Sequence, residues 1–408
     1  MKVNLHRALC SFTSALDFVG VDEVHHGKRV ALMAAAVAAE LGWDATGCAE
    51  MLHAGLIHDC GVSHTRELKQ LTGTLEWEGA QEHCLRGEAF LLACPPLARF
   101  ATMVLWHHTR WEDLLALPIA AADRDAANLI FLVDRADALV AGYYSGQTLK
   151  NEILWEYPQI ADRLEGLAGR LFAPEFVAAF RRAAARESFW LAMDPSYIDA
   201  EVEDALGPDG GAELDTGDAL AVAGLFARSI DAKSNYTLDH STRVARIARH
   251  LAEQDGITGE ELDKVEIAGL LHDIGKLRMP ETIIDKPGEL SIEERAIMSR
   301  HSYDTGHILR RVFPGEQIAE WASMHHENLL GTGYPFHREA QSIPREAQII
   351  AIADIFQALS QERPYRGPLG CIQVLEEIEE LQAHGRIDLE MIEILRANLE
   401  DCYSMAVD

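Results

Sequence analysis

Residues 236–248 read YTLDHSTRVARIA, and residues 270–294 read LLHDIGKLRMPETIIDKPGELSIEE. In the first stretch Val244, Ile247 and Ala248, followed by Leu251, recur at the three- and four-residue spacing of one helix face, so a helix starts near His240. The second opens on an apolar run that ends in the pair His272-Asp273. Segments 262–274, 291–312, 315–327, 344–360, 369–382 and 388–399 have the same helical character. No βαβ pattern interrupts them, which excludes the Rossmann and P-loop classes.

The upstream half repeats this style. Val30, Met33, Ala34, Val37 and Leu41 mark a helix from about Val24 that Gly42 ends, and a short helix follows through His53 and Ile57. Helical segments are expected at 76–93, 97–107, 120–142 and 160–182, with Pro95, Pro96, Pro118 and Pro158 as punctuation. The expected fold class is therefore all-α. The stretch 196–217, acidic and centred on GPDGG, reads as a linker between a domain at 1–195 and a second at 218–408.

The spacing of ligand-type residues ties the halves together. His26 to His58 and His240 to His272 both span 32 residues, and each second histidine begins a His-Asp pair. His83 to His107 and His301 to His325 both span 24, and each ends in His-His. Asp134 lies 27 residues after His107, and Asp354 lies 29 after His325. An internal duplication is the economical explanation, giving two tandem helical domains.

Composition bounds what such a protein does. With 65 acidic against 36 basic residues, the formal charge of −29 opposes polymeric nucleic acid and anionic membrane surfaces. A small anion near a metal is not excluded, because the ion's local charge outweighs a screened surface field. Seven scattered cysteines without a CxxC pair suggest neither a disulfide framework nor a thiolate zinc site, and a cytoplasmic setting is expected. The N-terminus makes a poor signal peptide, and no apolar run of about 18 residues suggests a membrane span.

Imidazoles and carboxylates are natural ligands for Fe, Mn, Zn or Mg, and one aspartate can bridge two ions through its two oxygens. His240, His272, Asp273, His301, His325, His326 and Asp354 exceed what a single tetrahedral ion needs. Two adjacent ions lower the pKa of water and neutralise charge that grows on phosphate oxygens. Asp273 is the best bridge. Lys276, about one helical turn later, is placed to meet non-bridging phosphate oxygens.

With these residues in view, the sequence resembles the HD-GYP branch of the HD phosphohydrolase superfamily, helical metal-dependent enzymes that cleave cyclic dinucleotides. The likeness covers the two opening stretches, HSYDTG at 301–306, HHENLLGTGYP at 325–335 and IPREAQIIAIADIFQALSQERPYR at 343–366. It implies that the seven residues hold two divalent ions, Fe or Mn, and that Asp273 and Lys276 serve catalysis. It also implies a substrate wall at Gly333, Tyr334 and Pro335, with Arg363 and Arg366 contacting phosphate or guanine. Hydrolysis of cyclic di-GMP or a related 3′,3′-cyclic dinucleotide, by a metal-activated hydroxide, to a linear dinucleotide and onward to mononucleotides is the activity implied.

Three departures stand out. Asn328-Leu329-Leu330 replaces a stretch that usually carries an acid, Gln357 replaces the second acid of ADxFDAL, and Tyr236 stands where members with a third metal supply a carboxylate. A phenol is a poor ligand at neutral pH, which favours two ions over three. In the first half His26, His58, Asp59, His83, His107, His108 and Asp134 form a second candidate metal site, but Val62 occupies the position of Lys276 and no GYP follows. A regulatory role is expected there. The competing reading is a catalytically weak module that senses a nucleotide and contacts partners. Exposed alanine–leucine faces suit a homodimer or a signalling partner, or are satisfied within the duplicated chain.

Overall fold

The structure, a computed structural model, describes residues 1–16, 25–64, 67, 71, 78–144, 149–206, 211–233, 239–362 and 367–407. Among these residues the named strands are the two-residue segments Val3–Asn4 and Glu213–Leu214, paired with each other, and the rest of the regular structure is helical. The chain divides into two compact units, Asn4–Glu213 and Leu214–Asp408, the latter joined by Met1–Val3.

In the C-terminal unit the helix His240–Gln254 packs on Glu260–Leu271 and on Arg345–Ser360, while Ile292–Val312 packs on Ile318–Ser323. Val244, Ile247, Ala248 and Leu251 are fully buried, as their spacing requires. Ser291 starts the long helix with a capping box: its hydroxyl accepts from Glu294 N, and the Glu294 carboxylate accepts from Ser291 N. Asp215 caps Thr216–Asp231 in the simpler way, accepting from Asp218 N.

The same pairings recur in the N-terminal unit. His26–Glu40 packs on Ala45–Ile57 and on Ala121–Tyr144, and Gln81–Leu92 packs on Ala101–Trp106. The first crossing is close in both units because a glycine faces an alanine backbone. An added Cβ at Gly55 would lie 2.4 Å from Ala31 Cα, and one at Gly269 would lie 2.9 Å from Ala245 Cα. A second shared feature precedes each first histidine: His25 and Asp239 have positive φ, 74° and 60°. Left-handed backbone costs roughly 1–2 kcal/mol at a non-glycine residue. Here it turns His26 and His240 into their helices.

Several boundaries differ from expectation. Pro158 lies inside the helix Ile153–Glu165, where it removes one backbone donor without ending the element, and the break falls instead before Pro174. Leu41 follows the helix as its cap and is only partly buried. The stretch read as a linker is not linker throughout. Ile198–Asp204 is a helix with Ile198 and Val202 buried, and the Val202 carbonyl accepts from His6 Nε2 at 2.8 Å.

Candidate metal centres

In the C-terminal unit the seven expected residues come from five places in the fold. His240 opens its helix, His272 and Asp273 follow Glu260–Leu271, His301 lies inside Ile292–Val312, His325 and His326 follow Ile318–Ser323, and Asp354 lies inside Arg345–Ser360. Their polar atoms converge. Asp273 Oδ2 lies 3.2 Å from His272 Nε2 and 3.7 Å from His240 Nε2, whereas Oδ1 lies 3.4 Å from His301 Nε2 and 3.7 Å from His325 Nε2. One carboxylate thus faces two groups of imidazoles through two different oxygens. Asp354 Oδ1 sits 3.3 Å from His240 Nε2 and 3.8 Å from His272 Nε2, and His326 groups with His301 and His325.

The other ring nitrogen of four histidines is already committed. His272 Nδ1 donates to Gly269 O at 2.8 Å, His301 Nδ1 to Met298 O at 2.6 Å and His325 Nδ1 to Ala322 O at 2.6 Å. His240 Nδ1 donates to Gln357 Oε1 at 2.5 Å. Nδ1 donation leaves the Nε2 lone pair pointing into the cradle, the arrangement found behind metal-bound histidine. His272 Nε2 and Asp273 Oδ1 are buried with no hydrogen-bond partner. Orphaned polar atoms cost roughly 1–3 kcal/mol each, and a cation in the cradle would satisfy both. Burial favours the neutral imidazole at His301 and His326, pushing them down to about 3 and about 4, whereas at His272 the Asp273 carboxylate outweighs burial and raises the ring to about 9. Against the opposing effect of burial, His272 and Lys276 hold the Asp273 carboxyl well below the usual carboxylate range. The donor set therefore fits divalent metal.

Lys276 is not directed away from this group. Its ammonium lies 2.5 Å from Asp273 Oδ2 and is 23% exposed, against 2% for Asp273. The GYP segment sits against the cradle: Tyr334 N donates to His326 O, and its ring centroid is 4.7 Å from that of His326. Glu327, which sequence reasoning passed over, accepts from Phe336 N and Arg338 N and so ties down the exit of Gly333-Tyr334-Pro335. Asn328 Oδ1 accepts from Leu330 N and from both Thr332 N and Oγ1, closing the loop that precedes it. Arg363, Arg366 and Tyr236 lie outside the described residues.

The N-terminal unit builds the same cradle. Asp59 Oδ2 faces His58 Nε2 at 3.4 Å and His26 Nε2 at 3.6 Å, and Oδ1 faces His83 Nε2 at 3.5 Å and His107 Nε2 at 3.8 Å. Asp134 approaches His26 at 3.6 Å and His108 at 3.8 Å. Again the second histidine Nε2 and the bridge-side Oδ1, those of His58 and Asp59, are buried and unpartnered. Val62 is buried. The cation is placed elsewhere, since Arg135 holds Asp134 Oδ2 at 2.6 Å and the Leu71 carbonyl at 2.6 Å. In the C-terminal unit Ile355 follows the aspartate instead.

A helical unit that gathers histidines from several helices around a His-Asp pair defines the HD class of metal-dependent phosphohydrolases. The HD domain family matches residues 225–391. The 3′3′-cGAMP-specific phosphodiesterase 1 of Vibrio cholerae is 36% identical over 407 residues, covering 100% of this chain and 94% of that protein. The cyclic di-GMP phosphodiesterase response regulator of Xanthomonas campestris is 38% identical over 146 residues, covering 35% of this chain and 38% of its own. The crystal structure of a cyclic GMP-AMP specific phosphodiesterase of V. cholerae shares the fold, with a TM-score of 0.64 at 23% identity over 98% of both chains. This chain belongs to the HD phosphohydrolase superfamily, as an HD-GYP-like, metal-dependent phosphodiesterase with an additional N-terminal HD-type region.

Proposed function

We propose that the C-terminal unit hydrolyses a 3′,3′-linked cyclic dinucleotide to its linear form, and that 3′3′-cGAMP is the first substrate to test, ahead of cyclic di-GMP. The observation that carries this is the two-sided Asp273 cradle within a chain that matches a 3′3′-cGAMP-specific phosphodiesterase along its whole length. When bound, divalent ions at the seven residues supply an activated water and positive charge against the phosphate. Asp273 bridges the two groups of histidines. Lys276 has three donors, so it can hold Asp273 and still offer a proton to a non-bridging oxygen.

Tyr334, packed on His326, forms one wall of the substrate groove. A cavity of about 160 Å³ bounded by His325, His326, Asn328, Gln348, Ile352 and Arg386 adjoins the cradle. That is room for one planar heterocycle, since an apolar cavity of about 150 Å³ admits benzene. It suits one base of the dinucleotide.

The N-terminal unit is regulatory in this reading, and a homodimer or a signalling protein is the partner expected. The cysteines are scattered and form no CxxC pair, which suits a cytoplasmic setting. Among the described residues no helix is long and apolar enough to cross a membrane. The test is chromatography of products after Mn- or Fe-loaded protein meets 3′3′-cGAMP, cyclic di-GMP, cyclic di-AMP and nitrophenyl phosphoesters. Turnover of the phosphoesters alone would overturn the proposed substrate class.

A further inference from the structure

The two cradles share ligand order but are backed differently: His301 Nδ1 donates to Met298 O whereas His83 Nδ1 has no hydrogen-bond partner, and the difference in charge lies behind the first histidine. In the N-terminal unit His26 Nδ1 donates to Asp137 Oδ2 at 2.7 Å, and Arg29 grips the same carboxylate, with Nε 2.6 Å from Oδ1 and Nη2 2.9 Å from Oδ2. Asp137 is fully buried and Arg29 nearly so. In the C-terminal unit the matching position, three residues after the ligand aspartate, is Gln357, whose Oε1 accepts from His240 Nδ1. Gln357 is fully buried and its Nε2 has no partner. The arginine that matches Arg29, three residues after the first histidine, is Arg243, which donates to the Ala406 carbonyl at 3.1 Å instead. Carboxylate and arginine have thus been exchanged together for an amide and a redirected arginine.

A carboxylate behind a ligating imidazole draws on its Nδ1 proton and makes Nε2 a stronger donor, whereas a neutral amide carbonyl does so less. Changing such a partner typically alters metal affinity by about 10–100-fold. The other charges do not reverse this order. Each cradle has one cation against one of its own carboxylates, Lys276 on Asp273 and Arg135 on Asp134, and the Arg29–Asp137 pair adds no net charge.

We infer that the N-terminal unit holds its divalent metal more tightly than the C-terminal unit, with Asp137 and Gln357 as the positioning residues that set this order. The N-terminal ion is then resident, and the C-terminal centre exchanges metal with the surroundings. Phosphodiesterase activity would follow free metal at concentrations where the N-terminal unit is already loaded.

The test is Mn(II) titration of the full chain after chelator stripping, with free Mn(II) read by electron paramagnetic resonance. Two classes of site are expected, separated by about 10–100-fold. Asp59→Asn should remove the tighter class and Asp273→Asn the weaker. Gln357→Glu should tighten the weaker class by about 10-fold or more, and Asp137→Asn should loosen the tighter class by a similar factor. A role in packing alone leaves Gln357→Glu unchanged or weaker in affinity, and that result overturns the inference, as does loss of the tighter class in Asp273→Asn. Circular dichroism reports whether Asp137→Asn folds; if it does not, Gln357→Glu decides. The readout is binding, so its failure is distinct from failure to hydrolyse a cyclic dinucleotide.

Discussion

A single methyl group at position 275 is expected to disrupt the C-terminal centre from outside the ligand set. An ideal Cβ on Gly275 would lie 2.0 Å from the His301 carbonyl oxygen, 2.8 Å from its carbonyl carbon and 2.9 Å from Thr305 N. All three are backbone atoms of one helix, so no side-chain rotation relieves the contact. Ordinary carbon–carbon contact at about 3.5–4.0 Å requires the two segments to part by an ångström or more. Two buried hydrogen bonds hold them together now, Gly275 N to Thr305 Oγ1 at 3.1 Å and Thr305 Oγ1 to His272 O at 2.9 Å. Overpacking typically costs about 1–3 kcal/mol and each strained hydrogen bond about 0.5–1.5 kcal/mol, so Gly275→Ala should lose about 2–6 kcal/mol. For a unit of this size that is a fall of roughly 4–24 °C in Tm. The same displacement separates His301 from Asp273, and misplacement of about 1 Å can cost 100-fold in rate. Thermal unfolding with and without Mn(II), elemental analysis and turnover on one preparation provide the check. A variant that melts within about 2 °C of the parent and retains its metal and rate would refute the reasoning.

Three further outcomes are expected. Asp273→Ala should lose both metal and turnover, whereas Lys276→Ala should keep its metal and lose about 2–4 kcal/mol of transition-state stabilisation, read as kcat; equal metal loss in both would show that Lys276 is misassigned. Asp59→Asn in the full chain should retain the capacity to hydrolyse cyclic dinucleotides under saturating metal, since the N-terminal unit lacks both Lys276 and the GYP loop; abolished turnover in a folded variant would place the chemistry in that unit. The last outcome concerns pH. Burial, aided by His6 and Arg99, pushes buried His53 down to about 4. Between pH about 4 and 6.5 the unfolded chain therefore binds a proton that the native state refuses, so stability falls as pH drops through this window, by up to about 3 kcal/mol. Urea unfolding at both ends of the window should show a shallower pH dependence in His53→Gln, and identical slopes would contradict this.

The order of the candidate ligands was legible because residues on corresponding helices keep their sequence spacing under duplication. His240, His272-Asp273, His301, His325-His326 and Asp354 could be aligned with His26, His58-Asp59, His83, His107-His108 and Asp134 without any coordinate. Helix against strand was legible too, since the period of Val244, Ile247, Ala248 and Leu251 is a local property. The ends of elements were less so. Pro158 reads as a stop yet lies within a helix, because a single lost backbone bond is outweighed by burial of Ile160, Ala161 and Leu164. The helix at 198–204 was hidden by the acidic character of its surroundings, and its buried Ile198 and Val202 show why it forms.

What only the tertiary structure decided is which neutral or charged group stands behind each metal-facing histidine. Gln357 was visible as a departure from the family pattern, but its contact with His240 joins residues 117 apart, and the contact of Asp137 with His26 joins residues 111 apart. Spacing within one helix carries no information about such a pair. The packing of His240–Gln254 on Arg345–Ser360, and of His26–Glu40 on Ala121–Tyr144, brings them into reach. The sequence by itself determined an all-helical, duplicated chain and the residues that could serve as metal ligands, because periodicity and residue chemistry are local. The fold determined that Asp273 and Asp59 each face two groups of histidines through separate oxygens, and that the two centres are buttressed differently, because those relations exist only between helices distant in the chain.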